Sequence, residues 1–150
     1  MKYLKVLLVG IAFVIGFGYK TLNADGKSFN KGIYYDNIKY SDNVVFNKVD
    51  GTNIDYSANL SSPGDYFEIY FDVVNSTNYN VEISDYVYNE DDDYIDYELT
   101  YADGKSINNG DIIKKGESKR LMYKVYYKNP IVEDEYNIDT SFYIYYEQAI

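Results

Sequence analysis

The sequence predicts an all-β fold, an antiparallel β-sandwich of about seven to nine strands preceded by an N-terminal hydrophobic helix. Short runs rich in Tyr, Ile, Val and Phe alternate between apolar and polar residues with a period of two, which is typical of strands. Turn-forming Gly, Asn, Asp and Ser clusters separate these runs about every 8 to 12 residues, as in sandwiches. No stretch beyond the N-terminal apolar run shows sustained helical periodicity.

The clearest strand is expected at Tyr66 to Val74, where every second residue is apolar. Lys119 to Tyr127 and Tyr94 to Tyr101 repeat the pattern. Three further inward-facing sets are predicted: Ile54, Tyr56, Ala58 and Leu60; Phe142, Ile144 and Tyr146; Val81, Ile83 and Val87. Ile33 to Tyr40 and Val44 to Val49 are expected to supply one or two more strands.

The N-terminus has the pattern of an export signal, in which Lys2 and Lys5 are followed by an apolar run from Val6 to Gly18. The run is shorter than the roughly 20 residues of a spanning helix. Cleavage is expected before Tyr19 or before Asp25, and a retained membrane anchor is the alternative. We therefore divide the chain into residues 1–24, a signal peptide or N-terminal anchor, and residues 25–150, a single sandwich domain.

The composition excludes several classes of function. Residues 25–150 contain all 24 acidic residues and 11 of the 14 basic ones, a formal charge of −13 that disfavours nucleic acid and anionic lipid. The absence of Cys excludes disulfides. The absence of His, together with that of Cys, excludes Ser-His-Asp and Cys-His triads and the zinc hydrolase motif. We therefore expect no enzyme activity and no catalytic residue.

Two turn motifs carry a resemblance. Ser62-Pro63-Gly64-Asp65 leads into an alternating strand that ends at Val74-Asn75-Ser76, and Lys115-Gly116-Glu117-Ser118 precedes another at Leu121 to Tyr127. Over residues 54–128 this arrangement resembles exported bacterial immunoglobulin-like surface modules, loosely those of the TasA and camelysin biofilm-fibre family. The resemblance implies an immunoglobulin-like sandwich and a role in the extracellular matrix. The metalloprotease activity ascribed to camelysin-like proteins is not carried over, because the chain has no His.

The densest acidic run gives a candidate calcium site at Asn89, Asp91 and Asp93. These alternate oxygen ligands resemble the start of an EF-hand loop, but the Gly and Glu which that motif requires are replaced by Tyr94 and Thr100. Two interpretations stay open, a solvated turn and an irregular calcium site in a strand-connecting loop. No other cofactor is expected.

Tyrosine is the compositional outlier, with 21 residues. Four tyrosines fall on the side of their strands opposite to the predicted core, and we take them as a candidate binding face: Tyr70, Tyr126, Tyr143 and Tyr145. Exposed tyrosines are suited to stacking on sugar rings or to packing against another protein. Cross-strand tyrosine pairing without a ligand is the alternative.

These features favour an exported, non-enzymatic protein of the cell surface or extracellular space that acts by protein contact. One mechanism is assembly into matrix fibres by strand addition, with a homo-oligomer as the product. Asp25 to Tyr40 lies outside the strongest predicted core strands and is expected to be the donor strand, freed by cleavage of the signal. The alternatives are a glycan- or protein-binding module that uses the outward tyrosines, and an accessory domain held at the membrane by the N-terminal segment alone.

Overall fold

The computed structural model describes residues 11–14, 17–22, 32–87, 93–128 and 136–150. Eleven strands are present in these residues: β1 Ile11–Val14, β2 Phe17–Leu22, β3 Ile33–Ser41, β4 Val44–Asp50, β5 Asn53–Leu60, β6 Tyr66–Asn75, β7 Val81–Val87, β8 Ile95–Tyr101, β9 Ile112–Ile113, β10 Ser118–Tyr127 and β11 Tyr136–Gln148. Sheet A has the order β1-β2-β3-β6-β10-β8, and sheet B has the order β4-β5-β11-β7-β9. All pairings are antiparallel.

The two sheets pack as a sandwich, which confirms the predicted all-β class. Nine strands lie between residues 33 and 148, in agreement with the expected seven to nine. Alternation assigned the buried side chains of β5, β6 and β10 correctly, since every second residue of each is buried. β9 was not predicted, because two residues are too few to show a period.

The predicted N-terminal helix is not confirmed. Residues 11–14 and 17–22 form an antiparallel pair of strands, and β2 extends sheet A by pairing with β3 from Tyr19↔Ser41 to Leu22↔Ile38. The segment contains Ile, Val and Phe, which favour strands, and Gly16 and Gly18, which disfavour a helix. Residues 1–10 lie outside the described residues.

The predicted strand at Ile33 to Tyr40 is confirmed, but this part of the expected donor segment belongs to the core. This segment forms most of β3, and Ile33, Tyr35, Ile38 and Tyr40 are buried. The inward alternation is interrupted at Asn37, which has a positive φ of 48° at a bulge opposite β6. The bulge inserts an extra residue, so the buried positions move from odd to even numbers along the strand. Detaching β3 as a donor strand would therefore expose this part of the core.

The core contains a chain of aromatic rings that joins the two sheets. Tyr56 of sheet B and Tyr123 of sheet A share a buried hydrogen bond with their hydroxyl oxygens 2.9 Å apart. Phe142 stacks on Tyr123 with ring centroids 4.1 Å apart. Burial raises the pKa of Tyr56 well above its usual value, so the hydroxyl is protonated at neutral pH. Each tyrosine therefore adds apolar area to the core while its hydroxyl keeps a partner across the interface.

The Tyr56–Tyr123 hydrogen bond should be energetically coupled. Tyr56→Phe alone should lower the free energy of unfolding by about 1 kcal/mol, since one polar group loses this partner inside the core. The variant with both Tyr56→Phe and Tyr123→Phe should lose less than the sum of the two single changes. Urea unfolding of the four proteins measures the coupling, and strictly additive losses would show that the hydroxyls do not interact.

Asn75 closes the end of β6 and is fully buried. Its side-chain amide donates to the carbonyl oxygens of Tyr79 at 3.0 Å and Ile113 at 2.9 Å, and its Oδ1 accepts from the Thr77 N–H and hydroxyl. Its backbone N–H donates to Glu117 O, while Gly116 N–H donates to Asn75 O. The two turn motifs singled out in the sequence, around Asn75 and Gly116, are therefore in contact.

Asn75→Ala should be strongly destabilising, by about 2–4 kcal/mol, because it leaves several buried polar groups without partners. Asn43→Ala is the matched control, since Asn43 is half-buried and its side chain donates one hydrogen bond, to Asn59 O. Chemical unfolding should show a much smaller loss for the control. Equal losses would mean that Asn75 does not organise this end of the sandwich.

Candidate functional site

The structure divides the four candidate tyrosines between two opposite surfaces. Tyr70 on β6 and Tyr126 on β10 lie on the outer face of sheet A, whereas Tyr143 and Tyr145 lie on the outer face of sheet B. Their outward orientation agrees with the sequence pattern. The four residues do not form one surface, so each face must be considered separately.

The outer face of sheet A carries a network of paired charges. Arg120 donates to Asp72 Oδ1 at 2.7 Å and to the Asn37 carbonyl at 3.2 Å, and its guanidinium lies 5.9 Å from the centre of the Tyr70 ring. The Tyr70 hydroxyl donates to Glu68 Oε2 at 3.2 Å. Burial, followed by the charge of Glu68, raises the pKa of Tyr70. This candidate tyrosine is thus held within the network.

The network continues along β10. Lys124 lies 4.3 Å from the centre of the Tyr66 ring and 3.7 Å from Glu68 Oε1. The Tyr126 hydroxyl donates to Asp96 Oδ2 at 3.2 Å, and Lys128 donates to the other oxygen of the same carboxylate at 3.1 Å. Most polar groups of this face are therefore already engaged with one another.

The outer face of sheet B has a different chemistry, a ladder of amides, hydroxyls and carboxylates across β4, β5 and β11. Asn59 donates to Asn137 Oδ1 at 2.9 Å. One step along, Asp139 Oδ1 accepts from Ser57 and from Asn47, both at 3.2 Å. Lys48 is the only Lys or Arg in the described strands of this sheet. The face is therefore polar and acidic with little positive charge.

Two tyrosines continue this ladder along β11. The Tyr143 and Tyr145 rings meet edge to face with centroids 5.0 Å apart. Tyr145 is 47% exposed, more than any other described tyrosine. Tyr143 pairs in register with Asn53, and Tyr145 pairs with Asp85. An aromatic pair thus adjoins a row of planar polar side chains.

The outer edge of β8 has no strand paired with it among the described residues. Two backbone hydrogen bonds flank β8: Ala102 N–H donates to Arg120 O, and Lys128 N–H donates to Tyr94 O. The even-numbered residues of β8 therefore bond to β10. Ile95, Tyr97 and Leu99 therefore direct their backbone groups to the outer edge. Past Leu99, Tyr101 N–H donates to Lys105 O, so a loop covers this end.

The outer edge of β4 is the corresponding edge of sheet B. Asn59 N–H donates to Asn43 O, and in an antiparallel pair every second residue bonds to the partner strand. The backbone groups of Val44 and Phe46 therefore point away from β5, to the outer edge. A register shift follows between Phe46 and Lys48. Val45 is 59% exposed on this strand. A short apolar segment is therefore presented at this edge before the irregularity.

The candidate calcium site cannot be built from the described residues. Asn89 and Asp91 lie outside them, and Asp93 is exposed. No group of three or more His, Cys, Asp or Glu residues suited to a metal occurs in the part of the chain that the structure describes.

An open cleft of about 630 Å³ lies between β10 and the loop after β8. Tyr101 at its wall donates to Asp111 Oδ2 at 2.7 Å, and burial followed by this hydrogen bond raises the pKa of Tyr101. Lys105 and Arg120, which also line the cleft, pair with Asp103 and Asp72. The cleft thus contains paired charges and one tyrosine–carboxylate hydrogen bond.

Comparison of the chain with models of known protein families gave no match, and comparisons with curated proteins and with solved structures gave none either. In the described residues, no helix has the length and apolarity needed to cross a bilayer. The sequence predicted the outward tyrosines. It gave no signal for the two strand edges, because edge position depends on how the strands are ordered in the sheets.

Proposed function

We propose that this chain is an exported, non-enzymatic surface protein of immunoglobulin-like sandwich architecture that acts by protein contact, through addition of a strand from a neighbouring copy. The observation that carries the proposal is the outer edge of β8 from Ile95 to Leu99, on a strand whose other edge pairs with β10 over seven residues without a register shift. Regular, uncovered edges are templates for further pairing. The occupant we infer is β4 of a second copy.

The two edges lie on opposite sides of the sandwich. Tyr40 of β3 contacts Phe46 of β4 with ring centroids 4.4 Å apart, which places β4 beneath the β3 side of sheet A. Tyr101 of β8 bonds to Asp111, the residue before β9, which places β8 above the opposite side of sheet B. A contact between unlike edges on opposite sides is heterologous, so each copy keeps a free edge for the next. It produces an open array of copies unless the rotation between them closes a ring.

The charges of the two edges also favour this pairing over self-pairing of β8. The polar side chains of β8 include Asp96 and Glu98, whereas β4 contains Lys48. Two antiparallel β8 strands centred on Tyr97 would place Asp96 opposite Glu98, and like charges in opposite positions are destabilising. β4 contains one cation, Lys48, and one carboxylate, Asp50, so it has no net charge, and its pairing with β8 avoids this repulsion.

Charge reversal tests this contact with exposed residues. Val45→Glu should weaken assembly about tenfold, because it places a carboxylate on an edge that faces Asp96 and Glu98. Glu98→Lys should do the same, because it opposes Lys48. The chain carrying both substitutions should assemble again. Light scattering and negative-stain microscopy of the full chain, over a range of protein concentrations at low salt, measure the effect.

Two controls make the result interpretable. Thermal unfolding of each variant shows whether the fold is retained, which matters for Glu98→Lys because residue 98 lies opposite Lys124. Val45→Lys also replaces the apolar side chain by a charged one, but with a positive charge that Asp96 and Glu98 do not repel. This variant should assemble as the unsubstituted chain does. Stronger assembly of Glu98→Lys would indicate self-pairing of β8. A monomeric unsubstituted chain would exclude strand addition.

Export is the second part of the proposal, and it is supported by the basic and apolar N-terminal sequence. Cleavage before Asp25 would remove β1 and β2, since both lie before residue 24. β3 would then become an edge strand of sheet A. A retained segment would instead hold the sandwich at the membrane as an accessory domain.

Intact mass spectrometry of the protein collected from the medium and from the cell envelope tests this point. We expect the exported form to lack residues 1–24. The matched control is a chain in which Lys2 and Lys5 are replaced by Glu, which should accumulate unprocessed because the basic start of the signal is lost. Recovery of the full-length mass from the envelope would support the anchored form, and recovery only from the cytoplasm would exclude export.

A further inference from the structure

We propose that the outer face of sheet B binds a neutral polysaccharide chain. The site consists of exposed Tyr145, half-buried Tyr143 and the adjoining polar ladder of Asn59, Asn137, Ser57 and Asp139. This function is separate from strand addition, which uses the edges of the sheets.

The aromatic pair supplies the apolar part of the site. The C–H face of a sugar ring is apolar and packs on an exposed aromatic side chain. Tyr145 offers this contact, being the most exposed described tyrosine, and its edge-to-face packing on Tyr143 holds the ring in place. Pre-ordering of the ring reduces the entropy lost when a ligand binds.

The polar ladder supplies partners for hydroxyl groups. Asn137 accepts from Asn59 through Oδ1, so its amide N–H groups are directed to other partners, and none is found among the described residues. Asp139 accepts both of its hydrogen bonds through Oδ1, and its Oδ2 has no partner among the same residues. Sugar hydroxyls both donate and accept, and they match this combination of amide donor and carboxylate acceptor.

The shape and charge of the face select the class of ligand. Asn137 and Tyr145 are eight residues apart on one strand, a distance of about 27 Å, which suits an extended chain. The described strands of sheet B include Asp55, Asp85 and Asp139 but Lys48 as their only cation, so the face repels polyanions. The outer face of sheet A lacks these features, because Tyr70 and Tyr126 donate to Glu68 and Asp96.

Pull-down of the full chain on cellulose and chitin, with polygalacturonate as an anionic polymer, tests the site. The unsubstituted chain should bind cellulose or chitin and not polygalacturonate. Tyr145→Ala should weaken binding about tenfold, and Asn137→Ala should weaken it several-fold. Tyr66→Ala is the matched control, because Tyr66 is 40% exposed on the outer face of sheet A, and it should bind as the unsubstituted chain does.

Glu98→Lys separates this proposal from assembly. The substitution lies on β8 of the other sheet, so it should impair strand addition and leave polysaccharide binding intact. Absence of binding to both cellulose and chitin would overturn the site. Equal losses in Tyr66→Ala and Tyr145→Ala, or binding only to polygalacturonate, would also overturn it.

Discussion

The hydrogen bond between Tyr56 and Tyr123 is the contact on which the alignment of the two sheets depends. A core built from Val and Leu alone tolerates sliding of one sheet over the other, because apolar contacts have little directionality. Hydroxyls buried between the sheets must find partners, and here the partner is on the opposite sheet at 2.9 Å. Tyr35 repeats the principle, since its hydroxyl donates to the Thr52 carbonyl in the turn between β4 and β5. These two contacts give direction to the packing of a domain whose sequence contains no Cys.

The period-two pattern predicted which side of each strand is buried, because burial on one face is a local property of the sequence. It could not predict the sheet to which a strand belongs. Tyr126 and Tyr145 have the same sequence signature, yet they lie on opposite surfaces because β10 and β11 belong to different sheets. The bulge at Asn37 shows a second limit, since one inserted residue reverses the alternation within β3.

The N-terminal segment shows why apolar composition alone does not define a helix. The same residues satisfy the pattern of an export signal and the preferences of a strand. In this structure the segment forms strands, and the pairing of β2 with β3 satisfies backbone groups at the edge of β3 that would otherwise bind water. The segment cannot be bound by an export system and paired with β3 at the same time. If export precedes folding, the segment is first recognised as a signal and pairs with β3 only afterwards.

The two outer faces differ in how their polar groups are used, and this difference separates structure from binding. On sheet A, cations and carboxylates alternate between strands, so that Arg120 pairs with Asp72 and Lys124 lies near Glu68. Such pairs are half-buried and add cross-strand order more than stability. On sheet B the ladder uses amides and hydroxyls, which retain further hydrogen-bonding capacity after pairing with each other. A face of that kind can order its side chains in the free protein and still offer donors and acceptors to a ligand. The tyrosines of sheet B are therefore better placed for recognition than those of sheet A, although the sequence pattern ranks them equally.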